Sequence, residues 1–306
     1  MTIDAQFFGS VLTTMTPLVL AALGALLCFR SGFFNIAIEG QMLVAAFAAA
    51  ATAVATGNVV LAVTAGAAAS VVLVAVIAIA TYWAGVDAIV AGIAANLLAA
   101  GLTALLTREM TGGSSSIVVT DGRLPRVDAG SVAAWGVVGD LFRGQTPLVL
   151  VAFLAVPAVW WFLTRTRTGL GVRALGESEL AVRSSGLSVT RVRLMTTLLC
   201  GVLCGLAGAQ LSLGPATSFS VGMTNGRGFT AIIAAMIGTT VVAAVLGCAL
   251  FGVVEALGLR IQLGDTGLPQ VVVQAIPYLL ALVVLSAASA VQQRRIDPVR
   301  RRVLRH

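Results

Sequence analysis

Lysine is missing from this chain: all 19 basic residues are arginine. A P-loop needs its lysine against the nucleotide phosphates. A standard Walker A site is therefore excluded, and any drive from ATP has to come from a separate protein. Histidine is almost as scarce, the single one being His306, the last residue. Cys28, Cys200, Cys204 and Cys248 all lie in apolar segments, and Cys200 and Cys204 share a helix face with no metal-ligand pattern around them. This excludes zinc chemistry and a Cys–His nucleophile, and the thiols read as small buried apolar side chains. Charged residues make up only 10% of the chain and aromatics 6%. The first residues lack a positive n-region and a small-residue cleavage site, so the first apolar stretch is expected to be retained rather than removed as a secretory signal.

What is present is apolar. Hydrophobic residues reach 58% and the mean hydropathy is +1.02, whereas soluble domains sit near roughly 45–50% apolar and about 25% charged. Apolar runs recur from Phe8 almost to the C-terminus. Each is long enough to cross a hydrocarbon core of about 30 Å as a helix. The composition predicts an all-α polytopic membrane protein of about nine transmembrane helices (8–10), some short or broken. They are placed near 8–29, 36–56, 58–80, 86–106, 147–164, 194–213, 229–244, 246–263 and 268–290. One membrane domain, 1–290, accounts for nearly everything, followed by an arginine-rich tail, 291–306.

Arginine placement predicts orientation, because cytoplasmic loops carry the basic excess. The segment 164–193 holds Arg165, Arg167, Arg173, Arg183, Arg191 and Arg193 against Glu177 and Glu179. The tail holds six arginines against Asp297. The loop 108–146 balances four arginines with four acids and can be translocated. An N-out, C-in arrangement follows. The net charge of +7 is thus a matter of topology and membrane lipids, and nucleic acid is not an expected partner. Returning to the cytoplasm requires an even number of crossings after Arg193. The stretch 229–263 would be about 52 Å as one helix at 1.5 Å per residue. It is read as two short helices or a broken hairpin, with the turn among Gly238–Gly247. Spans two to four are rich in Ala and Gly, and Gly201-Val-Leu-Cys-Gly205 offers small residues one turn apart for close helix approach.

Three segments stand out. In the first, Asn35, Glu39 and Gln41 lie at or just inside the start of an apolar span. A carboxylate in a membrane costs at least about 2.5 kcal/mol on insertion scales and normally faces protein or a water-filled path. Glu39 reads either as part of a structural network or helix-dipole partner, or as a lining group of a path. In the second, Glu177 and Glu179 precede Leu180, Ala181 and Val182, followed by Arg183 and Gly186. Acid first, base later and glycine last mark a short capped helix, suited to docking into a partner's groove; the alternative is a positive loop that only sets topology. The third, Gly214 to Phe229, is Gly-rich and polar with Phe219, Arg227 and Phe229. That mixture suits irregular backbone beside a cavity, or an ordinary surface loop. Asn96 and Glu255 are further intramembrane polar positions.

These segments carry a resemblance that runs over almost the whole chain. The stretches SGFFNIAIEGQM (Ser31 to Met42), GLGVRALGE (Gly169 to Glu177) and SFSVGMTNGRGF (Ser218 to Phe229) occur in order. They are similar to motifs of the permease family of bacterial ABC importers for branched-chain amino acids and simple sugars, with the nucleoside-uptake branch closest. Ala37 stands where that family commonly has Gly, and Ser178-Glu179 replaces its usual Asn-Pro. The resemblance implies a permease subunit, not an enzyme, with no cofactor of its own, in the bacterial inner membrane. It implies a cytoplasmic ABC ATPase, a second homologous permease or a second copy of this chain, and an extracytoplasmic substrate-binding lipoprotein. Arg173, Gly176, Glu177, Glu179, Ala181, Arg183 and Gly186 would then form the ATPase coupling segment. Asn35, Glu39, Gln41, Asn96, Phe219, Arg227, Phe229 and Glu255 would lie near the translocation path. An ion-coupled secondary transporter using Glu39 or Glu255 is the competing reading. No convergent charged pair marks an amino-acid zwitterion site, which leans towards neutral solutes, nucleosides ahead of simple sugars.

Overall fold

The computed structural model describes residues 5–127, 144–237 and 240–263. Ten helices are present there: α1 (Ala5–Arg30), α2 (Ile38–Thr56), α3 (Val59–Tyr82), α4 (Ala88–Thr111), α5 (Pro147–Arg165), α6 (Arg167–Glu177), α7 (Glu179–Ser184), α8 (Val189–Leu213), α9 (Arg227–Ile237) and α10 (Val241–Leu263). Strands β1 (Ser116–Val118) and β2 (Ser218–Ser220) form one antiparallel ribbon with Ile117 opposite Phe219. Seven of the helices, α1 to α5, α8 and α10, are long and apolar enough to cross a membrane, and α9 is a shorter apolar helix. The polytopic helical architecture expected from hydropathy is therefore present, with the short ribbon as its exception. The ninth expected span, 268–290, and the tail 291–306 lie outside the described residues.

Local chemistry sets the helix ends. Asn58 accepts from the amides of Val60 and Leu61 to open α3, and Asp87 accepts from Ile89 and Val90 to open α4. Gly57 and Gly112 close α2 and α4 in the left-handed conformation. The stretch 229–263 is interrupted as expected: α9 ends at Ile237 and α10 begins at Val241, within the range Gly238–Gly247 given for the turn. Gly247 lies inside α10, where its bare Cα lets that helix settle against Ala234. The short capped helix expected around Glu177–Gly186 is present as α7, with the correction that Glu177 ends α6 instead. Thr166 caps α6 by accepting from the Gly169 amide, and α6 continues to Glu177 because Gly169, Val172 and Leu175 are buried along it. Ser178 is then extended (φ −160°, ψ 123°), and α7 starts afresh at Glu179.

α8 is the centre of the bundle, packed by α1, α2 and α3. The glycine spacing in α8 makes this possible. A Cβ on Gly201 would lie 2.8 Å from the Val71 Cα, and one on Gly205 or Gly208 would run into Ala67 or the Met42 carbonyl. With no hydrophobic drive between helices in lipid, such backbone approach is what holds them. The four cysteines are free and buried. By contrast α3, α4 and α5 turn Val72, Val76, Leu97, Leu98 and Leu154 outward, as lipid-facing helices do.

Replacing Gly208 with Val should lower the thermal midpoint of the detergent-solubilised protein strongly, since overpacking costs about 1–3 kcal/mol. Gly101→Ala, where nothing lies within 4 Å of the added carbon, should leave it unchanged.

Candidate functional site

After α1 ends at Arg30, Gly32 (φ +77°) turns the chain and residues 33–37 run without regular structure. This segment climbs back into the bundle. The Asn35 side-chain amide lies 3.4 Å from the Cys200 Sγ, near the middle of α8. α2 therefore starts inside the bundle, where bare backbone groups have no water to bond. Two asparagines replace it. The Asn35 Oδ1 accepts from the Ala37 amide at 3.0 Å. From α4, Asn96 donates to the Ile36 carbonyl at 3.1 Å and accepts from the Gly40 amide at 2.7 Å. Both were readable as intramembrane polar residues; their work is to hold irregular backbone.

A second helix also starts at depth. Beyond the ribbon the chain turns through Gly222, Asn225 and Gly226, all at positive φ, and opens α9 at Arg227. The first amides of a helix have no partners within it. Here the Glu39 carboxylate supplies them: Oε1 accepts from the Gly226 amide at 2.8 Å and Oε2 from the Gly228 amide at 2.6 Å. A Cβ on Gly228 would come within 2.5 Å of the Glu39 Cα, so glycine is required for this approach. Glu39 thus stands in the first turn of α2, at the dipole end of its own helix, and meets the start of α9 as well, pinning the two helix starts together. Leaving a buried amide without its acceptor costs about 1–3 kcal/mol.

Arg227 extends the cluster. Its Nε donates to the Glu255 Oε1 of α10 at 2.7 Å, its Nη2 closes a salt bridge to the same oxygen, and its Nη1 donates to the Met223 carbonyl at 3.1 Å. Asn35, Glu39, Asn96, Arg227 and Glu255 thus come together around two interior helix starts. Gln41 is fully buried beside Cys200, its Oε1 4.0 Å from that sulfur. Phe219 stands apart, buried in the ribbon edge-on to Phe47, and Phe229 is exposed on α9.

A cleft of about 1150 Å³ opens beside this cluster, and Arg227 is the one path candidate that lines it. Its wall includes Thr13, Arg123, Arg126, Gln145, Thr146 and Gln210, with no acidic residue among the described residues of the lining. The Thr13 hydroxyl donates to the Gln145 Oε1 at 2.7 Å, the Gln145 Nε2 to the Gly9 carbonyl at 2.9 Å, and the Thr146 hydroxyl to the Gln210 Oε1 at 2.7 Å. Sequence reasoning did not single out Thr13, Gln145 or Thr146 as site residues. The polar pair just ahead of Pro147 was the available signal; the partners lie far along the chain, on α1 for Gln145 and on α8 for Thr146.

The cleft lies where α5 begins and α8 ends. The arginine-rich segment lies where α5 ends and α8 begins, at the opposite end of the bundle. There Gly176 presses on the backbone: a Cβ on it would be 2.6 Å from the Arg30 carbonyl oxygen. Glu177 is exposed and Arg173 half-buried. Glu179 pairs with Arg183 at 2.7 Å and with Arg193 at 2.9 Å, and the Arg193 guanidinium lies over the Tyr82 ring at 4.7 Å. Hydrogen bonding from Arg183, then the charge of Arg193, holds the Glu179 carboxyl below its usual pKa of 4.5. With a lowered folded-state pKa, these pairs stand through neutral pH and are lost only below the ordinary carboxylate range. Val182 is buried, Ala181 exposed, Leu180 is 77% exposed, and Gly186 (φ +76°) ends the turn.

A family model described as branched-chain amino acid transport system / permease component matches residues 7–286. A putative glucose ABC transporter permease protein of Haloferax volcanii is 32% identical over 267 residues, covering 86% of this chain and 79% of its own. A nucleoside ABC transporter permease protein of Lactococcus lactis is 28% identical, covering 91% and 90%. A guanosine ABC transporter permease protein of Bacillus subtilis is 27% identical, covering 90% of each chain. With a match over nearly its whole length and helices that cross the membrane many times, this chain belongs to the family of branched-chain amino acid transport system permease components.

Proposed function

We propose that this permease component is the membrane subunit of an ATP-binding cassette importer of the bacterial inner membrane, moving a small neutral polyhydroxylated solute, nucleosides ahead of simple sugars. The observation that carries this is the construction at the arginine-rich end. α7 is a short helix that buries only Val182, turns Leu180 outward, and is held in place by Glu179 between Arg183 and Arg193. A rigid apolar knob on a charged collar suits the groove of a partner protein. The chain has no lysine for a P-loop of its own, so the nucleotide belongs to that partner.

In this reading α6 and α7 face the cytoplasm and couple to an ABC ATPase. The chain runs N-out and C-in through nine spans, with 268–290 as the last. The cleft faces the exterior, where a substrate-binding lipoprotein delivers solute, and a second permease or a second copy completes the assembly. Amides and hydroxyls in the cleft wall offer donors and acceptors to sugar hydroxyls. Among the described residues the wall has no carboxylate to meet an ammonium group, which argues against amino-acid zwitterions. The ion-coupled reading finds little support, because both oxygens of Glu39 already accept backbone amides and Glu255 is tied to Arg227.

Uptake of radiolabelled nucleoside into proteoliposomes holding the chain with its ATPase and binding protein should require ATP. Ion gradient alone driving uptake by the purified chain would overturn the reading. Leu180→Asp should reduce ATP-driven uptake at least tenfold while the purified subunit keeps its thermal midpoint. Competition with unlabelled solutes should show displacement by neutral nucleosides and none by zwitterionic amino acids. Effective competition by an amino acid would refute the assignment of the cleft.

A further inference from the structure

We propose that Glu39 is the positioning residue that transmits displacement of α6 to α9, and so to Arg227 in the cleft. The inference rests on the coupling role given above to α6 and α7, and it adds the route inward. At the cytoplasmic end, the backbone of Gly176 touches that of Arg30, with the Gly176 Cα close to Gly32 as well. There is no side chain in this contact to yield, so a shift of α6 is passed to the turn after α1. The segment that follows cannot absorb it, because Asn35 and Asn96 tie its amides and carbonyl to fixed partners and to the first turn of α2. Glu39 sits in that turn. Its two oxygens hold the amides of Gly226 and Gly228, and the Gly228 Cα rests against the Glu39 backbone.

The physical point is that α9 has to follow Glu39. If the two separated, two helix-start amides and a carboxylate would be left without partners in a part-buried interior, a state that a low-dielectric environment strongly disfavours. α9 is short, 11 residues, and its first residue is the arginine that lines the cleft. A movement of the first turn of α2 is therefore a movement of Arg227.

The complex of permease, ATPase and binding protein is reconstituted, and solute imported per ATP hydrolysed is measured. Glu39→Gln keeps the shape of the side chain but sets an amide group against an amide donor; the ratio should fall at least tenfold. Glu39→Asp, too short to span both donors, should not restore it, and Gly176→Ala, acting at the other end of the route, should lower it too. Gly101→Ala on the open face of α4 serves as the reference. If Glu39→Gln lowers only thermal stability or yield, with the ratio unchanged in the complexes that assemble, the residue is a structural pin and the inference fails. Should Glu39→Gln not assemble, Gly176→Ala decides: an unchanged ratio there also overturns it. A wild-type complex with no ATP-dependent uptake would instead sink the proposed function, so the two failures are distinguishable.

Discussion

The structure depends on one carboxylate holding two backbone amides. Two helices of this bundle begin inside it, α2 at Ile38 and α9 at Arg227. Helix starts expose unpaired N–H groups and the positive end of the dipole, and neither is tolerated in a dry interior without a partner. Glu39 meets this need by accepting from Gly226 and Gly228 while standing in the first turn of the other helix. Negative charge at one interrupted helix thus satisfies the positive end of another. Remove that match and neither interruption is tenable at this depth.

Around this point the polar residues of the interior divide into two kinds. Asn35 and Asn96 satisfy irregular backbone. Arg227 is different, because it is both anchored by Glu255 and present in the wall of the cleft. The ion pair, with Arg227 and Glu255 both part-buried, holds the guanidinium in place. A charge fixed in this way can face a solvent-filled space without its own side chain wandering. The small residues of α8 make room for the arrangement, letting α1, α2 and α3 close around it backbone to backbone.

The two ends of the bundle contrast in chemistry. One carries the collar of arginines about Glu179, with Arg193 seated on Tyr82 and Leu180 projecting. The other carries amides and hydroxyls knitted to one another, Thr13 with Gln145 and Thr146 with Gln210, without an acid among the described residues of the wall. α5 and α8 span the distance between these ends, and the interrupted helices lie between.

Much of this was legible in the amino-acid order alone. Runs of apolar residues predict helices that cross the membrane because the bilayer leaves no other way to satisfy a backbone, and six of the described spans fall within a few residues of where hydropathy puts them. The rarity of charge in those runs also made Asn35, Glu39, Asn96 and Glu255 conspicuous, since each such residue needs a partner. The partners themselves were not legible. Glu39 and Gly226 are 187 residues apart, and Thr13 and Gln145 are 132; no local pattern joins them. Nor did the glycines declare their purpose: Gly247 is a packing surface inside α10, while Gly228 is what lets two backbones meet. Periodicity and hydropathy are local properties, so the chain alone determined which segments enter the membrane and which residues could not stand there alone. Only the folded bundle decided which of them would meet, because a hydrogen bond between distant segments exists only once packing has brought their backbones within reach.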